Sequence, residues 1–399
     1  MSELLDLLMF LALLIGHAAI WIHVGNWIHA TSLHYRVVKA ISLAMRLIMI
    51  VGASAMLIWL VWRRVPEVPF FGMFHWRSML SSPHIAYFWL CLAVTLGPVA
   101  AAAWRRLTFR TPDELLANHA ESIAFSQVEF SGATLAGSLV KLPGNQSVQL
   151  QISEKRLRID KLDHRLNGLR IAHLSDLHFT GRIRKEYFER VIAFTQQSRP
   201  DLIVIAGDLI DRNACIDWIP EVLGKLSAPL GVFAVLGNHD LRVEVPRLRR
   251  AIVEAGIELI SDRWVSLKHS GAPLILAGNE LPWFSPAANM DDAPQEIDGF
   301  RPLRILLSHS PDQLAWAKRR GFDLMVAGHT HGGQIRLPIW GPLVSPSRHG
   351  TKYASGTFFE SPTLLHVSRG ISGKLPLRWN CPPELPILIL ETGRSSDDS

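Results

Sequence analysis

Leu324-Met325-Val326-Ala327 followed by Gly328-His329-Thr330-His331-Gly332-Gly333-Gln334 is the stretch on which the reading of this chain turns. An apolar run ending in glycine predicts a buried strand that stops in a tight turn. Two imidazoles one residue apart at such a strand end can face the same rim of a fold. Neutral imidazole is a good ligand for zinc, iron, manganese and similar ions. A lone His-x-His is weak evidence, because surface pairs of that kind are common. Here it is the last of five signals of one type, each placed where a strand should stop.

The other four lie upstream. Ile171-Ala172-His173-Leu174-Ser175 leads into Asp176-Leu177-His178, and Leu202-Ile203-Val204-Ile205-Ala206 into Gly207-Asp208. Val232-Phe233-Ala234-Val235-Leu236 leads into Gly237-Asn238-His239-Asp240, and Ile305-Leu306-Leu307-Ser308 into His309. Between the first three, roughly Lys185–Gln197 and Asp217–Leu226 have the pattern of amphipathic helices. Short apolar strands alternating with helices predict an α/β sheet buried on both faces. Ligands of open α/β sheets sit off the carboxyl ends of the strands, which is where these Asp, Asn and His residues fall. Taken singly, each Asp could be a turn former or helix cap and each His a solvated loop residue. Five in this order favour a shared site. Asp240 is assigned as a cap for the helix that follows.

The series Asp-x-His, Gly-Asp, Gly-Asn-His-Asp, His and Gly-His-Thr-His resembles the calcineurin-like metallophosphoesterase superfamily over roughly residues 165–392. Ser175-Asp176-Leu177-His178, the Gly-Gly-Gln after His331, and Arg378-Trp379-Asn380-Cys381-Pro382-Pro383-Glu384 resemble a bacterial branch. That branch contains membrane-tethered phosphoesterases and enzymes similar to UDP-2,3-diacylglucosamine pyrophosphatase of lipid A synthesis. The resemblance implies a two-sheet β-sandwich flanked by helices and two divalent metal ions, Mn2+, Fe2+ or Zn2+. It also implies the ligands: Asp176, His178 and His331 for one ion, Asn238, His309 and His329 for the other, and Asp208 bridging. His239 would face the leaving group as a catalytic residue that binds no metal. Asp211 matches a carboxylate that orients this histidine in a related branch.

The residue types suit that chemistry. Two ions about 3.5–4 Å apart can clamp the attacking and leaving oxygens of an in-line displacement and lower the pKa of a bridging water. Only Asp176 and Asp208 among the ligands are anionic, so the loaded cluster keeps net positive charge, which suits a phosphate. A general acid such as His239 typically adds about 10²–10⁴-fold.

Residues 1–110 differ in composition. Three apolar runs, roughly Leu4–Val24, Ser42–Trp62 and His84–Trp104, are each about the 20 residues a helix needs to cross a bilayer core. No Lys or Arg precedes the first run, so a secretory leader is not expected. Trp21, Trp27, Trp59, Trp62 and Trp104 lie near run ends, as interfacial anchors do. With the N-terminus outside, Arg36, Lys39, Arg105, Arg106 and Arg110 fall on the inner side and Arg63, Arg64 and Arg77 on the outer. That bias predicts a multi-pass protein of the plasma or inner membrane with a cytoplasmic catalytic domain. His17, His23, His29 and His34 do not share a helical face and are assigned as interfacial or pore-lining residues.

The division expected is a membrane anchor over 1–110, a connector with a lead-in strand over 111–164, the phosphoesterase domain over 165–392 and a polar tail over 393–399. Residues 1–110 hold nine Lys/Arg and three Asp/Glu, which accounts for the whole net charge of +6. The remainder is balanced and carries no net basic footprint for nucleic acid. Cys91, Cys215 and Cys381 form no metal-type pair or disulfide framework. Pro338, Gly341, Pro342 and Pro346 mark a loop that could border the site, with Arg348 and His349 as candidates for phosphate contact. The expected function is hydrolysis of a lipid-linked phosphodiester or pyrophosphate at the bilayer surface, UDP-2,3-diacylglucosamine being the named candidate. A phosphodiesterase or phosphomonoesterase acting on a soluble ester is the alternative, and a non-catalytic membrane receptor or scaffold the remote one.

Overall fold

The computed structural model describes residues 2–29, 35–62, 86–97, 111–125 and 135–393, except 88, 285, 339 and 343, together with positions 31, 33 and 100. The chain divides into two compact units, Met1–His29 with Leu33–Arg110, and Ala30–Ser32 with Thr111–Ser399.

The first unit contains helices α1 (Ser2–His29) and α2 (Tyr35–Trp62). Within them Phe10–Ile28 and Arg36–Met56 are long and apolar enough to cross a membrane. Leu47, Ile50 and Val51 of α2 are exposed, as lipid-facing side chains would be. The third apolar run falls partly outside the described residues. So do Arg63, Arg64, Arg77, Arg105, Arg106 and Arg110, on which the expected orientation rests, and the tail Ser395–Ser399.

The second unit is an α/β domain of two facing sheets. The first sheet contains β1 (Leu115–Ala124), β2 (Gln149–Ile159), β3 (Arg170–Leu174), β4 (Leu202–Ala206), β5 (Val232–Val235), β6 (Glu258–Leu259) and β15 (Glu384–Thr392). Its order is β1-β2-β15-β3-β4-β5-β6. The second sheet contains β7 (Trp264–His269), β8 (Ala272–Asn279), β9 (Leu303–Ser308), β10 (Leu324–Ala327), β13 (Gly356–Glu360) and β14 (Thr363–Val367). Its order is β13-β14-β10-β9-β8-β7. A short hairpin pairs β11 (Arg336–Leu337) with β12 (Gly341–Pro342).

The period of two in a strand explains the layers. In β4, Leu202, Val204 and Ala206 enter the core between the sheets, while Ile203 and Ile205 pack under the helices. In β10, Leu324 and Val326 face the inter-sheet core, and Met325 and Ala327 the outer cluster with Leu314 and Phe322. Helix Lys185–Gln197 forms where its pattern predicts and buries Phe188, Val191 and Ile192. The expected helix Asp217–Leu226 is shorter, a single π turn over Ile219–Leu223. Pro220 lacks an N–H near its start and Gly224 ends it, which leaves too few residues for a regular helix.

Among the described residues between 111 and 164 there are two strands where the sequence suggests one. The edge strand β1 pairs antiparallel with β2. Its sequence, LLANHAESIA, is poor in β-formers and almost wholly exposed, so neither propensity nor alternation marks it.

A buried polar network crosses the inter-sheet space. Lys155 Nζ lies 2.5 Å from Glu384 Oε1 and 3.0 Å from His366 Nε2. Ser153 Oγ donates to Glu384 Oε1 at 2.8 Å and Arg369 Nε to Oε2 at 3.1 Å. Burial pushes the Glu384 carboxyl up, but Lys155 and Arg369 outweigh it and hold it well below its ordinary value. Glu384→Ala is therefore expected to destabilise this unit by about 3–5 kcal/mol, because it leaves buried cations without their counter-charge. The depressed carboxyl contributes that stability above the usual carboxylate range and loses it as pH falls through its folded value. Urea unfolding at neutral pH measures the effect; an unchanged midpoint would mean the pair contributes nothing.

Candidate metal centre

The carboxyl ends of five strands converge on one rim. Asp176 and His178 follow β3, Asp208 follows β4, Asn238 follows β5, His309 follows β9, and His329 and His331 follow β10. Asp176, His178, Asp208, His329 and His331 all have left-handed φ, between 48° and 71°. Non-glycine residues rarely adopt that region, and such strain persists where the surroundings over-determine it. Glycine is required at two neighbouring positions by close approach. A Cβ on Gly237 would come within 2.3 Å of Asp208 Oδ1, and one on Gly328 within 2.5 Å of Asp176 Oδ2.

The side chains meet in three overlapping groups, Asp176-His178-Asp208-His331, Asp208-His309-His329 and His178-Asp211-His239, and Asp208 is shared by the first two. Asp208 Oδ2 lies 3.6 Å from His178 Nε2 and 3.3 Å from His309 Nε2. His331 Nε2 is 3.5 Å from Asp176 Oδ1 and 3.1 Å from His178 Nε2. His309 Nε2 is 3.2 Å from both Asn238 Oδ1 and His329 Nδ1. All seven residues predicted from the sequence as ligands are thus brought together.

The donor chemistry fits cations. His178 Nδ1 donates to Asp211 Oδ2 at 2.7 Å, His309 Nδ1 to the Ala206 carbonyl at 2.6 Å, and His331 Nδ1 to the Ser372 carbonyl at 3.2 Å. With those hydrogens placed outward, the inner nitrogens of the neutral rings present lone pairs to one another across about 3 Å. Facing lone pairs repel unless a positive charge lies between them. Burial pulls His309 down, yet the Asp208 carboxylate outweighs it and lifts the imidazole to about 9.

Asp211 links this cluster to His239. Its Oδ1 accepts from His239 Nδ1 at 2.5 Å while Oδ2 holds His178. Burial pushes the Asp211 carboxyl up, but the hydrogen bonds from both histidines prevail and keep it well below the carboxylate range. Burial also pulls the His239 imidazole down to about 4. A groove of about 470 Å³ opens over His178, His239 and His331, and its lining adds basic Arg242 and Lys374 to apolar Ile335, Val344 and Pro346.

Several neighbours carry no signal in the sequence. Arg242 Nη1 reaches Asp211 Oδ1 at 3.3 Å and sits 2.9 Å from His239 Nδ1. The Trp283 ring packs at 4.8 Å on His329 and 5.4 Å on His309. Ser372 acts through its carbonyl, which no side-chain pattern announces. Arg348 and His349 are exposed and do not line the groove. Asp240 differs from the helix cap expected of it. It is buried and accepts N–H bonds from Asp208, Ile210 and Gly237 at 2.8–3.1 Å, which staples two of the ligand turns together.

Comparison with known proteins agrees with this geometry. Residues 169–333 match the family model of calcineurin-like phosphoesterases. The chain is similar to an uncharacterized metallophosphoesterase, YkuE of Bacillus subtilis, at 29% identity over 65% of this chain and 94% of that protein. It is also 29% identical to the phosphodiesterase YaeI of Escherichia coli, over 55% of this chain and 82% of that protein. It is 27% identical to the UDP-2,3-diacylglucosamine pyrophosphatase LpxG of Chlamydia muridarum, over 60% of this chain and 88% of that protein.

Proposed function

This chain carries a calcineurin-like metallophosphoesterase domain and is a metal-dependent phosphoester hydrolase; on that premise we propose that its N-terminal helices hold it at a membrane, where it cleaves a lipid-linked phosphodiester or pyrophosphate. The groove is the observation that carries this reading. It joins the histidine cluster to both basic and apolar side chains, a lining suited to an amphipathic phosphoester. Two bilayer-length helices in the same chain support a substrate presented at a surface. UDP-2,3-diacylglucosamine is such a molecule and is the substrate in the name of one relative.

In this reading Asp176, His178 and His331 hold one divalent ion, Asn238, His309 and His329 the second, and Asp208 both. Ions of this kind polarise phosphoryl oxygens and make a bound water nucleophilic near neutral pH. Mn2+, Fe2+ and Zn2+ all suit nitrogen and oxygen ligands without thiolate. Asp211 fixes the His239 ring through Nδ1, which leaves Nε2 for the leaving oxygen. Burial disfavours the protonated ring, whereas the negative charge of a bound phosphate draws it back up. Arg242, 3.3 Å from Asp211, adds positive charge to the groove. The excess of basic loop residues on one side in the sequence supports a cytoplasmic catalytic domain, with residues 1–110 as the anchor.

A chain beginning at Thr111 tests the membrane part. It keeps β1 and also Phe125, whose ring lies 4.7 Å from that of Tyr187 in the core. With Mn2+ supplied, this shorter protein is expected to retain hydrolysis of a chromogenic phosphodiester. Against a UDP-linked diacyl glycolipid in vesicles it should lose about 10²-fold or more relative to the full chain, since anchoring raises effective concentration at the surface. Equal losses on the two substrates would favour the soluble-ester reading, a general phosphodiesterase or phosphomonoesterase.

A further inference from the structure

Arg378 opens the Arg378-Trp379-Asn380-Cys381 stretch, which the chemistry above leaves unused. It is buried to 2% exposure, and no ion pair to it is found among the described residues. Its guanidinium instead donates to backbone carbonyls. Nη1 bonds Arg369 O at 2.7 Å and reaches His331 O at 3.5 Å, while Nη2 makes a short bond to Ser372 O. The same Ser372 carbonyl accepts the outward Nδ1–H of His331. Arg378 Nη2 and His331 Nδ1 lie 3.4 Å apart, two donors side by side on one acceptor.

Ser372 also reaches the other side of the cluster. Its N–H donates to Asp176 O at 3.0 Å and its hydroxyl to Leu177 O at 2.7 Å. Cys381 Sγ donates to His331 O at 3.3 Å and packs on Gly332, where an added Cβ would come within 2.5 Å of the sulfur.

We infer that Arg378 is a positioning residue for the metal centre: it pins the Ser372 carbonyl so that His331 keeps its hydrogen on Nδ1 and turns Nε2 toward Asp176 and His178. This rests on the reading of His331 as a metal ligand. Burying a guanidinium without a counter-ion is costly, and a neutral side chain would fill the space as well. What the guanidinium adds is a rigid fork that holds two carbonyls at once. Partners behind a ligating histidine typically change metal affinity by about 10–100-fold when lost.

The test uses the full chain in detergent. Wild type, Arg378→Met and Arg378→Lys are equilibrated in stepped Mn2+ buffers and their bound metal counted, with His331→Ala as reference. Arg378→Met should weaken one of the two ions by about 10–100-fold, the same ion that His331→Ala loses, and leave the other in place. Arg378→Lys keeps the charge but cannot span both carbonyls, so its affinity should fall between the two. The visible spectrum of the Co2+-loaded protein should change in both variants, while metal-free melting of Arg378→Lys stays close to wild type. If Arg378→Met does not fold, the lysine variant alone decides. Two ions held at wild-type affinity, with an unaltered Co2+ spectrum, would overturn the inference. A wild type that binds fewer than two ions, or a His331→Ala protein that keeps both, would overturn the ligand assignment beneath it.

Discussion

Replacing Asp208 by asparagine is expected to empty the metal centre. Asp208 alone belongs to both ligand groups, with one carboxylate oxygen 3.3 Å from His309 and 3.6 Å from His178. An amide is nearly isosteric, but it has no charge to share between two dications. Turned the wrong way, it would point N–H groups at nitrogens that also need the metal. Activity should fall by at least about 10³-fold, the equivalent of several kcal/mol of lost transition-state stabilisation. Elemental analysis is the direct check. Two tightly held ions in Asp208→Asn would remove the bridging role.

His239→Ala should behave in the opposite way, keeping both ions while losing about 10²–10⁴-fold in turnover. Its ring contacts Asp211 and belongs to neither group that contains Asp208. The loss should shrink for esters with a nitrophenolate leaving group, which needs little proton assistance. The pH profile adds a second reading. Burial pulls the free imidazole to about 4, so any limb of kcat assigned to this proton should lie above that value once phosphate is bound. Equal losses for good and poor leaving groups would make His239 a phosphate-positioning residue instead.

The seven clustered side chains proposed as ligands are legible in the sequence because strands place them. An apolar run of four or five residues fixes where a strand ends, and an α/β sheet puts strand ends on one rim. What surrounds the ligands was not legible. Ser372 contributes a backbone carbonyl, so any residue type could stand there. Arg242 stands between Leu241 and Val243 with nothing in its neighbours to mark it, and only the fold places it 3.3 Å from Asp211. Arg378 belongs to a stretch with a recognisable sequence, but its direction, inward and without a carboxylate, is a property of tertiary packing. The left-handed turns at five ligand positions are hidden for the same reason, since Asp and His do not announce positive φ as glycine does. Edge strand β1 leaves no mark in the sequence because an exposed edge imposes no apolar alternation. Asp240 reads as a helix cap in the sequence because both roles are filled by a carboxylate accepting backbone N–H groups.

The position of β15 has a consequence for how the protein is made. This strand, residues 384–392, lies inside the first sheet, parallel to β2 and antiparallel to β3. A ribosome completes β3 long before it reaches β15. At a synthesis rate of about 5–20 residues per second, the interval is on the order of ten to forty seconds. Throughout it the facing edges of β2 and β3 have no partner, and an unpaired edge is a template for wrong pairing. Helices α1 and α2 emerge earlier still, so a chain that inserts them into a bilayer as it is translated would be tethered while its enzyme half is open. Tethering keeps nascent chains apart and limits pairing between copies. The price falls on premature termination: a chain cut short before residue 384 would keep α1 and α2 but carry a catalytic sheet split down its middle.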